Sequence, residues 1–202
     1  MFVDYLLEMY QHSDFNNHSH LGRGPVILAG LVLSGEGLAD GAAARYLAKG
    51  FDLLYNHWHP ALNSVAGEMG GWHESLGYFD GEMGYPLAVD MDGLRTACGI
   101  DFFADSSFWR SLPRWYLAST VPVDDTLIHW ADQGKDRWSR ALDGSESEGK
   151  GTRQYLTAVA KNLARLGYPE AEQAQYLLDN LIGVFYDSGN YAESYYKVAH
   201  LN

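Results

Sequence analysis

The chain has 202 residues, 47% of them hydrophobic and 20% charged, with a formal net charge of −12. That length and apolar content describe a globular chain with a full core rather than a disordered one. The acidic balance argues against a general nucleic-acid or anionic-membrane binder, both of which need cationic surface, yet leaves room for a few cations gathered in a cleft around an anionic substrate.

The opening stretch MFVDYLLEMYQHSDF carries an acid at position 4 and no basic region, so it does not read as a signal peptide. From residue 16, NNHSHLGRGPVILAGLVLSGEG predicts a helix with Leu21, Pro25, Leu28 and Val32 on one apolar face, stopped by Gly35 and Gly37. Its start gathers Asn16, Asn17, His18, Ser19, His20 and Arg23. Asn and Ser are good capping residues, and the same amide and imidazole donors at a helix start can hold a carboxylate or another anion.

Asp40 is placed to cap the next helix, in which Ala44, Leu47, Ala48, Phe51, Leu54 and Tyr55 recur at helical spacing and Pro60 sets the end. His57 and His59 lie there, with His73 and Glu74 further on. Their spacing matches no zinc signature, so capping or surface roles are expected and no metal site is assigned.

The stretch GGWHESLGYFDGEMGY, residues 70–85, packs rings, a histidine and three acids between glycines. Gly77, Gly81 and Gly84 let the backbone approach a ligand closely. Tyr85-Pro86 then opens a helix with Leu87, Met91, Leu94 and Cys98 as its apolar stripe and Gly99 as its stop. Tyr85, Ala88, Asp92 and Arg95 share a face, so Tyr78, Tyr85 and Arg95 are candidates to line one cleft. The alternative is that both tyrosines pack between helices with their hydroxyls bonded. Glu74, Asp80 and Glu82 offer carboxylates for acid/base work.

A shorter helix is predicted over 106–120, restarting at Pro113, followed by a long loop over 121–151 of the kind that often carries function. Two more helices follow. One covers 152–166, with Leu156, Val159, Leu163 and Leu166 inward. The other covers 169–186, with Ala174, Leu177, Leu178, Leu181 and Phe185 inward. Gly189-Asn190 separates a last helical piece.

No segment alternates convincingly with period two, so the expected class is all-α: antiparallel helix hairpins in one domain over 1–202, with few or no strands. Bundle, solenoid and toroid remain open on these grounds. No apolar run approaches the roughly 18 residues of a membrane span. Cys98 is the only cysteine, which rules out an internal disulfide. There is no nucleophile elbow, phosphate-binding Gly loop or paired-cysteine motif, so no cofactor is expected. Aromatic residues make up 14% of the chain, including 14 Tyr and 6 Trp. Such rings serve either helical cores or the stacking of sugar faces.

The run GGWHESLGYFDGEMGYPLAVDMDGLRTACGIDFFADSSF resembles the helical-domain segment of heparinase II/III-like polysaccharide lyases. NNHSHLGRGPVILAGLVLSGEG is similar to their Asn/His-led helix, and HWADQGKDRW falls where they place a substrate-side loop. The resemblance spans residues 14–140 and, more loosely, the helices beyond. It implies part of an (α/α) toroid, a periplasmic or secreted location, and a polysaccharide or oligosaccharide substrate containing uronic acid. It also implies a missing β-sandwich domain or an oligomer partner, while the acidic charge is the ground for expecting no nucleic-acid or membrane partner.

The implied reaction is β-elimination. Asn17 and His18 would neutralise the uronate carboxylate, and Tyr78 would act as base and acid with His73 assisting. Separately from the resemblance, Trp72, Glu74, Tyr85, Arg95 and Arg23 are the candidate substrate contacts. Two other readings stay open: an (α/α) toroid glycoside hydrolase working through Glu74 or Asp80 and water, and a catalytically silent carbohydrate-binding domain.

Overall fold

The computed structural model describes residues 26–74, 78–79, 83–121, 126–127 and 147–181. Over these residues the chain is all-α. Helix α1 covers 26–33, and α2 runs without a break from Asp40 to Ala66. Then come α3 (Gly84–Cys98), α4 (Ser107–Ser119), α5 (Ser147–Arg165) and α6 (Glu170–Tyr176), which continues as a wider turn over Leu177–Leu181. The only strands among the described residues are β1 (Thr120–Val121) and β2 (Thr126–Leu127), an antiparallel pair with Thr120 opposite Leu127. Helix α5 packs on both α3 and α6, and α6 also meets α4.

The hairpin of α1 and α2 differs from expectation in its buried face. Val26 and Ile27 are buried, whereas Leu28 and Val32 face solvent, Val32 at 73% exposure. The reason is a close crossing. A Cβ on Gly30 would sit 2.7 Å from Leu47 Cγ, and one on Gly50 would collide with Ile27 Cγ1, so this glycine-bearing face is the one that meets its neighbour. Asp40 does not cap α2 forwards. It is the helix's first residue, and its Oδ1 accepts backwards from the Gly35 and Gly37 amides.

Helix α2 does not end before Pro60. It alternates α (Asp40–Asp52), π (Leu53–Trp58), α (His59–Ala61) and π (Leu62–Ala66). The His59 amide reaches back to Leu54 O and the Leu62 amide to His59 O. Five- and three-residue bonds thus flank the proline, which lacks a donor and crowds the carbonyl four residues back. The inward row is Tyr46, Gly50, Leu54, Trp58, Leu62 and Ala66, all buried. A spacing of four drifts about 40° per step on a 3.6-residue helix. The wider i→i+5 turns drift the other way and return the row to the core. Ala44, Ala48 and Tyr55 accordingly face outwards.

In α3, Leu87, Met91 and Leu94 are buried as expected, but Cys98 is exposed because Gly99, at φ 72°, turns the chain away one residue later. The Gly99 and Ile100 amides return to the carbonyls of Arg95 and Leu94. Helix α4 passes through Pro113 without a restart, and that proline is buried with Phe108, Trp109, Leu112, Trp115 and Tyr116 on its inner face. Its N-terminus is tied to α2. Asn63 Oδ1 accepts from the Ser106 and Ser107 hydroxyls and from the Phe108 amide. Leu156, Val159, Leu163, Ala174, Leu177 and Leu178 are buried in α5 and α6, and Leu166 is half-buried.

Candidate functional site

The segment leaving α2 starts with a tight turn. The Gly70 amide bonds Ala66 O at 2.6 Å, and Gly70 adopts φ 70°. This turn presses the backbone onto α4, where a Cβ on Gly70 would strike the Ser111 carbonyl group. Trp72 follows at 1% exposure. Its ring stacks on Trp58 with centroids 5.9 Å apart, and its Nε1 donates to Glu74 Oε2 at 3.2 Å. The His73 ring lies 4.6 Å from Trp72 on one side, and Phe79 lies 6.0 Å away on another.

Phe79 is fully buried and central to the core. Its ring meets Phe108 at 5.6 Å, Trp115 at 6.2 Å and Tyr155 edge-on at 5.3 Å. Aromatic pairs in such offset or T-shaped contact add stability beyond the area they bury. Much of the aromatic density in 70–85 therefore serves the core, a role the residues alone did not separate from ligand binding.

Among the site candidates, the structure gathers Trp72, His73 and Glu74 around one ring, with Tyr78 half-buried beside Phe79. His73 is exposed and Glu74 half-buried. Trp72 is buried on all sides and so backs this group as part of the core, with no open ring face for the substrate contact expected of it. Arg95 lies elsewhere. Its Nε and Nη2 both donate to Asp92 Oδ1, at 3.0 and 2.7 Å, and Asn162 of α5 reaches the same oxygen. That arrangement places Arg95 at the α3–α5 interface. Tyr85 lies in the first turn of α3. Asn17, His18, Arg23, Asp80, Glu82 and the 129–138 loop lie outside the described residues, and so does any cleft between residues 17–18 and 70–85.

Of the other histidines, His57 is exposed. His59 sits edge-on to Phe102 at 5.1 Å with Asn63 Nδ2 3.2 Å from its Nε2. Burial lowers the His59 pKa, and Asp105 opposes that only in part, which favours the neutral ring. Among the described residues no three His, Cys, Asp or Glu side chains converge as metal ligands. No described helix is long and apolar enough to cross a membrane.

Two features were missed in the sequence. Asp90 is fully buried in α3, and desolvation pushes its carboxyl up to about 8. An open cleft of about 410 Å³ lies along the outer face of α4, lined by Ser107, Arg110, Ser111 and Arg114 with Glu68, Met69 and Glu170. The residues 107, 110, 111 and 114 form one helix face by spacing, which is legible, but the partner Glu170 is remote in sequence.

Comparison with protein-family models, with curated proteins and with solved structures finds no match.

Proposed function

We propose that this chain is a carbohydrate-active helical domain that cleaves a uronic-acid polysaccharide by β-elimination. The observation that supports this reading is the group of polar side chains gathered at Trp72. Exposed His73 and half-buried Glu74 both meet the buried Trp72 ring, and half-buried Tyr78 packs against the core next to Phe79 in sequence. The resemblance to heparinase II/III-like lyases assigns proton transfer to that segment, and the all-α hairpin architecture is the kind that resemblance implies.

In the proposed reaction Asn17 and His18 donate to the uronate carboxylate, which makes the C5 proton more acidic. Tyr78 removes that proton, the C4–O glycosidic bond breaks, and a C4=C5 double bond forms. Tyr78 or His73 returns a proton to the leaving oxygen. A free tyrosine titrates near 10, so its use as a base needs neighbouring donors or cations that favour the phenolate. Donors aimed at the charge developing on the carboxylate contribute most of the barrier lowering in reactions of this kind.

The test is a panel of uronate polymers followed by the ultraviolet absorbance of the unsaturated product. Tyr78→Phe keeps the ring and its packing but removes the proton carrier. Turnover is expected to fall by roughly 10²–10⁴-fold with little change in melting temperature. New reducing ends without new absorbance, lost in Glu74→Gln, would instead identify a hydrolase. Binding without any cleavage would identify a silent carbohydrate-binding domain.

A further inference from the structure

The outer face of α4 carries two arginines one turn apart, Arg110 and Arg114, interleaved with the hydroxyls of Ser107 and Ser111. Like charges at this spacing are mildly unfavourable on a bare helix. Here each is held by a different neighbour. Arg110 Nη2 bonds Glu170 Oε1 at 3.2 Å, and its guanidinium lies 4.3 Å over the Tyr168 ring. Arg114 Nη2 donates to the Glu68 main-chain carbonyl at 2.6 Å.

Neither guanidinium is saturated by these contacts, since each carries several N–H donors in a planar fork. The Arg110–Glu170 bridge uses a single contact. Arg110 Nε and Glu170 Oε2 are enclosed and make no hydrogen bond, so the two-point fork that arginine forms with a carboxylate is not completed. Glu170 neutralises Arg110, which leaves the exposed Arg114 as the cation facing the open part of the cleft. The turn carrying Glu68 and Gly70 also lines the cleft and is pinned at Gly70 against the Ser111 main chain, so that wall is held in place before any ligand arrives.

We infer that this cleft binds a small ligand through a compact oxyanion, a carboxylate or a phosphate, held by Arg114 with Arg110 and the Ser111 hydroxyl beside it. The site is local. On a chain of net charge −12 the long-range field repels anions, so binding depends on short charge-assisted hydrogen bonds and weakens with added salt. Glu68 is exposed and lines the cleft, so its negative charge opposes an incoming anion. The inference does not rest on the elimination reaction proposed above.

Titration of the full chain at low ionic strength with glucuronate, inorganic phosphate and neutral glucose, read by calorimetry or amide chemical shifts, tests it. One or both anions are expected to saturate, and which of them does so identifies the oxyanion. Glucose is expected to show no saturation. Arg114→Gln should weaken anion binding roughly ten- to hundred-fold, and Arg114→Lys should recover only part because the planar fork is lost. Ser111→Ala removes one hydroxyl and leaves both arginines, so it should weaken binding by a smaller factor if Arg114→Gln proves poorly folded. Glu68→Gln should tighten binding about two- to fivefold by removing the opposing charge. The proposal is overturned if neither anion saturates, if glucose binds as well as glucuronate, or if well-folded Arg114→Gln and Ser111→Ala both bind like the wild type.

Discussion

Replacing Gly70 by alanine isolates the contact that seats the turn after α2 on α4, and Gly99→Ala supplies its control. Both glycines hold a left-handed backbone, with φ of 70° and 72°. A Cβ on Gly99 meets nothing within 4 Å, so that variant carries the conformational cost alone, about 1–2 kcal/mol. On Gly70 the same Cβ would overlap the Ser111 carbonyl group and lie 2.5 Å from the Leu112 nitrogen. These are main-chain atoms inside a helix whose other face is packed with rings, and they cannot swing aside as a side chain can. Forced shifts of that kind cost roughly 1–3 kcal/mol more.

The expected losses are therefore about 1–2 kcal/mol for Gly99→Ala and about 2–5 kcal/mol for Gly70→Ala. The larger figure is a substantial part of the roughly 5–15 kcal/mol that keeps a domain folded. Urea unfolding followed by tryptophan fluorescence measures both, since Trp72 and Trp115 flank the turn. Because the obstacle is main chain, adding Ser111→Ala to Gly70→Ala should restore nothing. Equal losses at the two glycines, or rescue by Ser111→Ala, would refute the reasoning.

Asp90 gives a pH prediction. Its buried carboxyl is held up to about 8, against 3.8 unperturbed, so between those values the folded chain keeps a proton that the unfolded chain releases, and stability falls as pH rises. Asp90→Asn should flatten that decline, which melting curves from pH 5 to pH 9 will show; parallel curves for the two proteins would count against it. Asn63→Ala should lose about 1–2 kcal/mol, the larger end of a capping effect, because one side chain serves three donors at the start of α4. Asn56→Ala, which removes only an exposed local bond to Asp52, should lose a few tenths of a kcal/mol at most, and equal losses would deny Asn63 its linking role.

The helices were legible because apolar spacing and glycine stops are local signals. Leu87, Met91 and Leu94 are buried, and Gly99 ends α3 where its lack of a Cβ permits the turn. The inner face of α2 was not legible from a 3.6-residue template. Its row from Tyr46 to Ala66 steps by four, a pattern that stays on one side only if the helix widens twice. The face of α1 was not legible because two glycines, which carry no hydrophobic weight, mark the crossing with α2. The α4 cleft shows the other limit. Its basic face is local, but the carboxylate that fixes Arg110 comes from residue 170, and no local pattern links the two.

The segment that first suggests a site therefore has two tasks, and they constrain how any mutation in it is interpreted. Trp72 and Phe79 are fixed by rings from α2, α4 and α5, so truncating either opens a core cavity and destabilises the fold whatever the chemistry. A loss of function there carries no information about a reaction. His73 projects outwards and Tyr78 is only half-buried, and both lie next to residues the core holds rigid. Substitutions that change only the polar atoms of His73 and Tyr78 are thus the ones able to separate chemistry from folding in this segment.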